Sequence, residues 1–557
     1  MKKIFNIIVI LFIVTTFLQT NLKAQSVAVG TPVIEDYYRR LQLLGKVDED
    51  ISFVIRPLNQ MALTDYDNVF YPEYRSKRKR FKNTNSFFEF GKGKGLVKIL
   101  PISLKQQYNS HHPEGFNDGA MIPARGYQNM LSVGIFAKYG VLSLQFQPEF
   151  VYAQNKSFEG YRPGYVNPLG LVFPSSPNRS GIDFPERFGE NSYSKFFLGQ
   201  SSIRLNFGAV SFGFSNENLW WGPGMRNSLL MTNTSPGFKH FTFNTIRPLK
   251  TPIGSFEWQL IGGRLDGSGY TAGLPDDWRY INAMVLSYQP KWLPGLFFGL
   301  IRSFSIYNKD LGGGIGDYLP VFDLLTKISA GGSDEDAKRR DQIASIFMRW
   351  VWTKSNAEIY VEYGRSDHAW DTRDLIVEAS HSDAYIIGLK KLIPVNKRTD
   401  TYIQVNAELT HLESNAISLN RDVVSWYEHG LVLHGHTHQG QILGAGIGPG
   451  SNLQTLNVSW VQSLKSFGIQ FERFVHNNDF FQRYVKDIRE NWVDLSATAF
   501  ATWNHNNLLF DVKFRFVKSF NYQWVYTPKL GDPSFFWEGE GWDVFNLQAQ
   551  IAVIYRF

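Results

Sequence analysis

The chain has 557 residues, a formal charge of +7, no cysteine and a mean hydropathy of −0.23. The missing thiols exclude a disulfide framework and a thiolate metal site, and the mild charge on an exported chain argues against a nucleic-acid partner. No segment after the amino terminus approaches the roughly 20 apolar residues that a spanning helix needs, which excludes a helical membrane protein but leaves a β-barrel open.

At the amino terminus, Lys2 and Lys3 precede the apolar stretch Ile4–Leu18, and Leu22-Lys23-Ala24 offers a cleavage site before Gln25. This is the layout of a secretory signal peptide, residues 1–24. Residues 25–95 do not alternate. Thr31-Pro32 reads as a helix start, Ile34, Tyr37, Tyr38, Leu41 and Leu44 recur at helical spacing, and Gly45 is a stop. This segment is therefore expected to be a helical, periplasmic plug. The basic run Arg75, Lys77, Arg78, Lys79, Arg80 and Lys82 reads as a solvated or headgroup-facing surface. Gly91–Gly95 lacks the Lys-Ser/Thr step of a phosphate loop and leads into strand-like sequence, so it reads as a hinge.

Residues 96–557 read as strand, turn, strand. Leu142, Leu144, Phe146 and Phe150 oppose Ser143, Gln145, Gln147 and Glu149, and Phe510, Val512, Phe514 and Phe516 oppose Asp511, Lys513 and Arg515. The last strand puts Phe545, Leu547, Ala549, Ile551, Val553, Tyr555 and Phe557 on one face. A soluble sandwich also alternates, but it rarely continues over some 450 residues. Aromatics are 15% of the chain (45 Phe, 26 Tyr, 15 Trp), enough to supply girdles at two lipid–water interfaces. The reading is an all-β membrane protein, a closed antiparallel transmembrane barrel in the cell outer membrane of a Gram-negative cell. Its partners would include outer-membrane lipid and lipopolysaccharide, and the barrel assembly machinery through the terminal Phe557. Residues 308–342, with Gly312-Gly313-Gly314 and an apolar stretch, read as a large outer loop holding a short helix.

The densest cluster of unusual residues is Asn216–Asn227. Adjacent Trp220 and Trp221 on a wall strand would face opposite ways, one to lipid and one inward. Glu217, Asn218, Trp220, Trp221, Arg226, Asn233, Arg264 and Asp266 combine aromatic platforms with hydrogen-bonding groups, as a sugar ring requires. The same block suits better still a structural lumen network that plugs the barrel. His434, His436 and His438 alternate on one face, but i and i+2 on a strand stand too far apart to converge on one ion without bending, so they are weak metal candidates.

The runs NLWWGPG, NSLLMTNTSPGFKHFTFNT, RPLKTPIGSFEWQLIGGRLDGSG and HGHTHQGQILGAGIGPGSN resemble the capsule assembly Wzi family in its Bacteroidetes-type form. RRLQLLGKVDEDISFVIRPL, ILPISLKQQYNS, NDGAMIPARGYQ and LQFQPEFVYAQN extend the resemblance over nearly all of the chain after the signal. It implies an outer-membrane barrel of about 18 strands with a small helical amino-terminal bundle. It also implies a lectin without catalysis or cofactor, binding or organising capsular or exopolysaccharide at its outer mouth. A porin or substrate-specific channel, and a barrel-embedded hydrolase, are the rival readings.

Overall fold

The computed structural model describes residues 25–63, 69–71, 86–92, 94–176, 182–322, 339–366, 382–414, 424–527 and 542–557. The signal peptide and the basic run lie outside these residues, as does 323–338 of the large loop.

Eighteen antiparallel staves close into a barrel. The first four are Gly95–Asn109 (β1), Gly126–Tyr139 (β2), Leu142–Phe146 continuing as Glu149–Ala153 (β3), and Tyr193–Phe197 continuing as Ser202–Phe207 (β4). Val210–Ser215 (β5), His240–Thr245 with Leu249–Thr251 (β6), Gly254–Leu265 (β7), Arg279–Pro290 (β8) and Leu296–Tyr307 (β9) follow. Asp341–Trp352 (β10), Ala357–Arg365 (β11), Asp383–Asn396 (β12), Thr401–His411 (β13) and Asn452–Gln462 (β14) continue the wall. Lys465–Val475 (β15), Val493–His505 (β16), Leu508–Phe520 (β17) and Val544–Tyr555 (β18) complete it. β18 pairs with β1 from Gln548↔Asn109 to Tyr555↔Ile102 and closes the cylinder. Closure matters because hydrocarbon offers no partner for an unpaired N–H or C=O.

The side-chain period of two sorts the wall into its faces. On β17, Phe514, Phe516 and Phe520 are exposed to the outside, while Asp511, Arg515 and Ser519 are buried inside. The connection 208–209 and those at 463–464 and 506–507 are tight. The connections at the other end, such as 216–239 and 412–451, are long, which marks that end as extracellular. Beside the tight turns, aromatic rings stack in cross-strand pairs. Trp503 lies 5.0 Å from Phe510, Trp460 5.1 Å from Phe467 and Phe256 4.7 Å from Tyr288. They form the periplasmic girdle.

Residues 25–63 and 69–71 lie inside the barrel at its periplasmic end, whereas Ser86–Phe90 forms a short strand paired with the start of β1, from Phe90↔Gly95 to Ser86↔Lys98. The helix of the plug, Pro32–Leu43 (α1), starts at the proline and buries Ile34, Tyr38 and Leu41. Thr31 is the N-cap position, yet its hydroxyl bonds the Ala28 carbonyl and leaves the helix amides uncapped. α1 is anchored by charge. Arg39 Nε donates to Glu358 Oε1 on β11 (2.7 Å), and Arg349 of β10 holds the other oxygen of the same carboxylate (2.8 Å from its Nε). Asp36 accepts from Arg40 and from the wall residue Lys390. In the large outer loop, the short helix is Ile315–Tyr318.

Glu358 is thus a buried anion held by two buried cations, one on the plug and one on the wall. Removing such a partner costs about 3–5 kcal/mol, because the remaining charges stay buried and uncompensated. Glu358→Ala is expected to lower barrel stability by this amount, measured by denaturant unfolding of the detergent-solubilised protein with tryptophan fluorescence.

Candidate functional site

The segment 216–239 leaves β5 at the outer end and turns down into the lumen. There Trp220-Trp221 pairs, antiparallel, with Ile55-Arg56 of the amino-terminal segment. Neither tryptophan lies on the barrel wall, so neither faces lipid. Local alternation suggested a wall strand; Gly222-Pro223-Gly224 instead folds the chain back, and Trp221 N donates to the Met231 carbonyl (3.1 Å). The Trp221 indole donates to Gln259 Oε1 (2.9 Å), and the Arg56 guanidinium sits 4.7 Å over the Trp220 ring.

Six of the eight residues singled out in the sequence are drawn into internal contacts of the lumen. Glu217 takes Arg204 on one oxygen (2.6 Å) and Ser26 on the other (2.6 Å). Asn218 donates to Asn233 Oδ1 (2.9 Å), and Asn233 donates to the Asn117 carbonyl (3.0 Å). Arg226 forks onto Glu472 at 2.7 and 3.2 Å, with its guanidinium 4.0 Å above the Phe116 ring. Trp220, Arg226 and Asn233 face a lumen cavity of about 350 Å³. Arg264 and Asp266 stand apart, paired at 2.7 Å and about half exposed at the outer end of β7.

The three histidines do not converge on one point. His434 bonds the Tyr307 hydroxyl (2.8 Å), His436 Nε2 lies 2.8 Å from the Leu230 carbonyl, and His438 Nδ1 accepts from the Asp266 amide (3.1 Å). The glycines that follow permit close packing on the descending loop. A Cβ at Gly444 would stand 2.1 Å from the Leu229 carbonyl oxygen.

A second cavity, about 220 Å³, opens at the outer end, and sequence reasoning missed it. Its aromatic wall comes from residues that follow or precede strands. Trp524 and Tyr522 follow β17, and Trp492 precedes β16. Trp492 lies 5.0 Å from Trp524 and 5.1 Å from Tyr522. The polar lining includes Glu186, which accepts from Gln523 (3.1 Å), together with Glu114, His112 and Gln441. Burial raises the carboxyls of Glu186 and Glu114, and the Arg515 guanidinium opposes the rise at Glu114. Burial pushes the His112 imidazole down to about 4. Tyr522 and Trp524 keep the parity of Phe520, so alternation gave no sign that they leave the wall; Asn521, at φ 50°, turns the chain out of the strand there.

Aromatic faces edged by carboxylates and amides are suited to stacking on and hydrogen-bonding a polyhydroxylated ring. The molecule is thus an outer-membrane β-barrel whose lumen is filled by its own amino-terminal segment and outer loops. Its sequence matches the capsule assembly protein Wzi family over residues 105–516, and the chain belongs to that family. No curated protein sequence matches it. Among solved structures it is similar to Wzi of Escherichia coli, described as an outer membrane protein involved in group 1 capsule assembly and a carbohydrate binding β-barrel. The TM-score is 0.59 at 12% identity, covering 96% of this chain and 99% of that one. OprD of Pseudomonas aeruginosa (TM-score 0.37, 8% identity, 84% and 94% covered) and OccAB2 of Acinetobacter baumannii (0.39, 7%, 82% and 97%) are more distant.

Burial also holds His434 and His436 down to about 4 and His438 to about 3, against an ordinary 6.5. The folded outer cap resists protonation while the unfolded chain accepts it, so the unfolded state binds more protons between these values. The contribution is intact above about pH 6.5 and is lost as pH falls toward 4. Hydrogen exchange of residues 425–451 is expected to quicken across that window with the barrel strands still protected.

Proposed function

We propose that this barrel binds capsular or exopolysaccharide at its outer mouth and holds it at the cell surface without catalysis. The observation that carries the reading is the outer aromatic cavity formed by Trp492, Tyr522 and Trp524 with Glu186 and Gln523 at its edge. Membership of the capsule assembly family supports it, as does the carbohydrate binding stated for the similar Escherichia coli barrel. A single such pocket grips a sugar weakly; a repeating polymer engaging several copies on one cell gains avidity. Arg264 and Asp266, exposed at the same end, would extend the contact. Glu217, Asn218, Trp220, Trp221, Arg226 and Asn233 would act beneath it, holding the loops that form the pocket. Lipid and lipopolysaccharide would contact the apolar outer face, and the assembly machinery would engage the strand ending at Phe557.

Two rival activities fit less well. A channel requires an open lumen, whereas Trp221, Leu229, Leu230, Met231 and Leu443 form a packed apolar core across this one. A hydrolase requires an accessible base; the His476–Asp494 pair (2.7 Å) has its imidazole sandwiched between Phe474 and Trp492 at 3.8 and 3.7 Å.

The test is complementation of a gene deletion, comparing cell-attached with released polysaccharide. Trp524→Ala is expected to weaken glycan retention about tenfold, the size of a 1.4 kcal/mol loss at one anchoring aromatic, with the barrel still folded. Wild-type retention in Trp492→Ala and Trp524→Ala alike would remove the pocket from the function. In planar bilayers the purified protein is expected to show no steady conductance, and ohmic channels of porin size would favour the channel instead.

A further inference from the structure

The outer connection 110–125 folds over the lumen and carries His112 and Glu114 to the start of β16, where Asp494 sits. One ligand atom from each of the three lies within 4.8 Å of the others, and all three residues are buried. An independent observation concerns His112 itself. The residue is 3% exposed, and its Nε2 has no hydrogen-bond partner among the described residues. A buried polar atom left unmet in a folded protein needs an explanation. Its other ring nitrogen, Nδ1, is 3.1 Å from Nδ1 of His111. With the shared proton on His112, Nε2 presents a lone pair, which is how a metal-bound imidazole is usually held.

The carboxylates are oriented in the same manner. Asp494 Oδ1 accepts from the Trp492 indole (2.9 Å) and Oδ2 from His476 (2.7 Å), which fixes the carboxylate in place. Cations stand nearby: Arg515 approaches Glu114 (3.1 Å) and Glu472 (2.8 Å), Arg226 binds Glu472, and the His476 imidazole pairs with Asp494 (2.7 Å). Among the described residues, Glu114, Glu472 and Asp494 thus face two guanidinium groups and one imidazole.

We propose that His112, Glu114 and Asp494 form a site for a divalent transition-metal cation of the zinc type. One imidazole with two carboxylates suits zinc better than calcium or magnesium, which favour oxygen-only shells. Bonds of about 2.0–2.2 Å set ligand atoms no more than about 4.4 Å apart, a spacing compatible with the 4.8 Å limit that gathers the three here. His112 and Glu114 also line the aromatic cavity, and a fourth coordination position directed there could take a sugar hydroxyl or carboxylate. That last step alone rests on the polysaccharide reading.

The test uses the full mature protein without a histidine tag, in detergent, stripped with chelator and titrated calorimetrically with zinc chloride at pH 7. One saturable site is expected, weakened at least about 100-fold in His112→Ala and in Glu114→Gln, since losing a ligand should exceed the cost of losing a group that merely orients one. His436→Ala is expected to bind zinc as the wild type does. Heat-modifiable gel mobility without zinc shows that each variant is folded. No saturable zinc binding by the wild type, or unchanged binding in both folded variants, overturns the proposal. Loss in both variants upholds the ion site whatever happens to glycan retention, and retention measured with and without zinc then tells whether the ion contacts the sugar.

Discussion

Hydrocarbon cannot hydrogen-bond, and the arrangement of this molecule follows from that fact. The wall must be closed, its outer face mainly apolar, and most polar side chains of the strands turned inward. Such a lumen has then to be satisfied by water or by protein. Here much of it is satisfied by protein: Glu358 lies between Arg39 of the plug and Arg349 of the wall, and Glu217 of the descending loop between Arg204 and Ser26. Buried ion pairs of this kind contribute little net stability compared with a well-packed apolar substitute. Their value lies in position, since an anion buried on the wall accepts only the plug residue that neutralises it.

The plug enters from the periplasmic side and the loop 216–239 from the outer side, and they meet where Trp220-Trp221 pairs with Ile55-Arg56. That short two-stranded junction joins the charged network to an apolar core of Trp221, Leu229, Leu230 and Met231, against which Leu443 from the second descending loop packs. Glycine is required there because the backbones approach within side-chain distance, as at Gly444. With its centre filled in this way, the barrel offers recognition surface mainly at its ends.

The wall was legible in the sequence because a period of two is local information; Phe510 to Phe516 against Asp511 to Arg515 can be read without knowing a neighbour. The helix at Pro32–Leu43 was legible for the same reason, from the spacing of Ile34, Tyr38 and Leu41. Trp220 and Trp221 were misplaced, because two residues carry no period and a strand inside the lumen looks like a strand in the wall. The outer cavity was illegible. His112, Glu186, Gln441, Trp492 and Trp524 come from five separate connections, and only the closed register of the barrel brings them together. The interior role of Glu217 and Asn218 depended in the same way on partners far along the chain, Ser26 and Gln200 among them.

The two cavities share a wall, and its construction links the outer mouth to the filled interior. Gly115 and Phe116 line both. Against the face of the Phe116 ring lies the Arg226 guanidinium, which binds Glu472; Glu472 also takes Arg515, and Arg515 reaches Glu114 at the outer pocket. Each member is held by at least one neighbour of opposite charge, so shifting one leaves a buried charge uncompensated on the next. The floor of the outer pocket is therefore not a free loop. It is fixed to the wall through Arg226 of the descending loop, whose backbone amide, with those of Met225 and Asn227, also binds Glu408 on β13. A polymer settling on a surface held in this way would order little that is not already ordered, so less of each contact's free energy would be lost to conformational entropy.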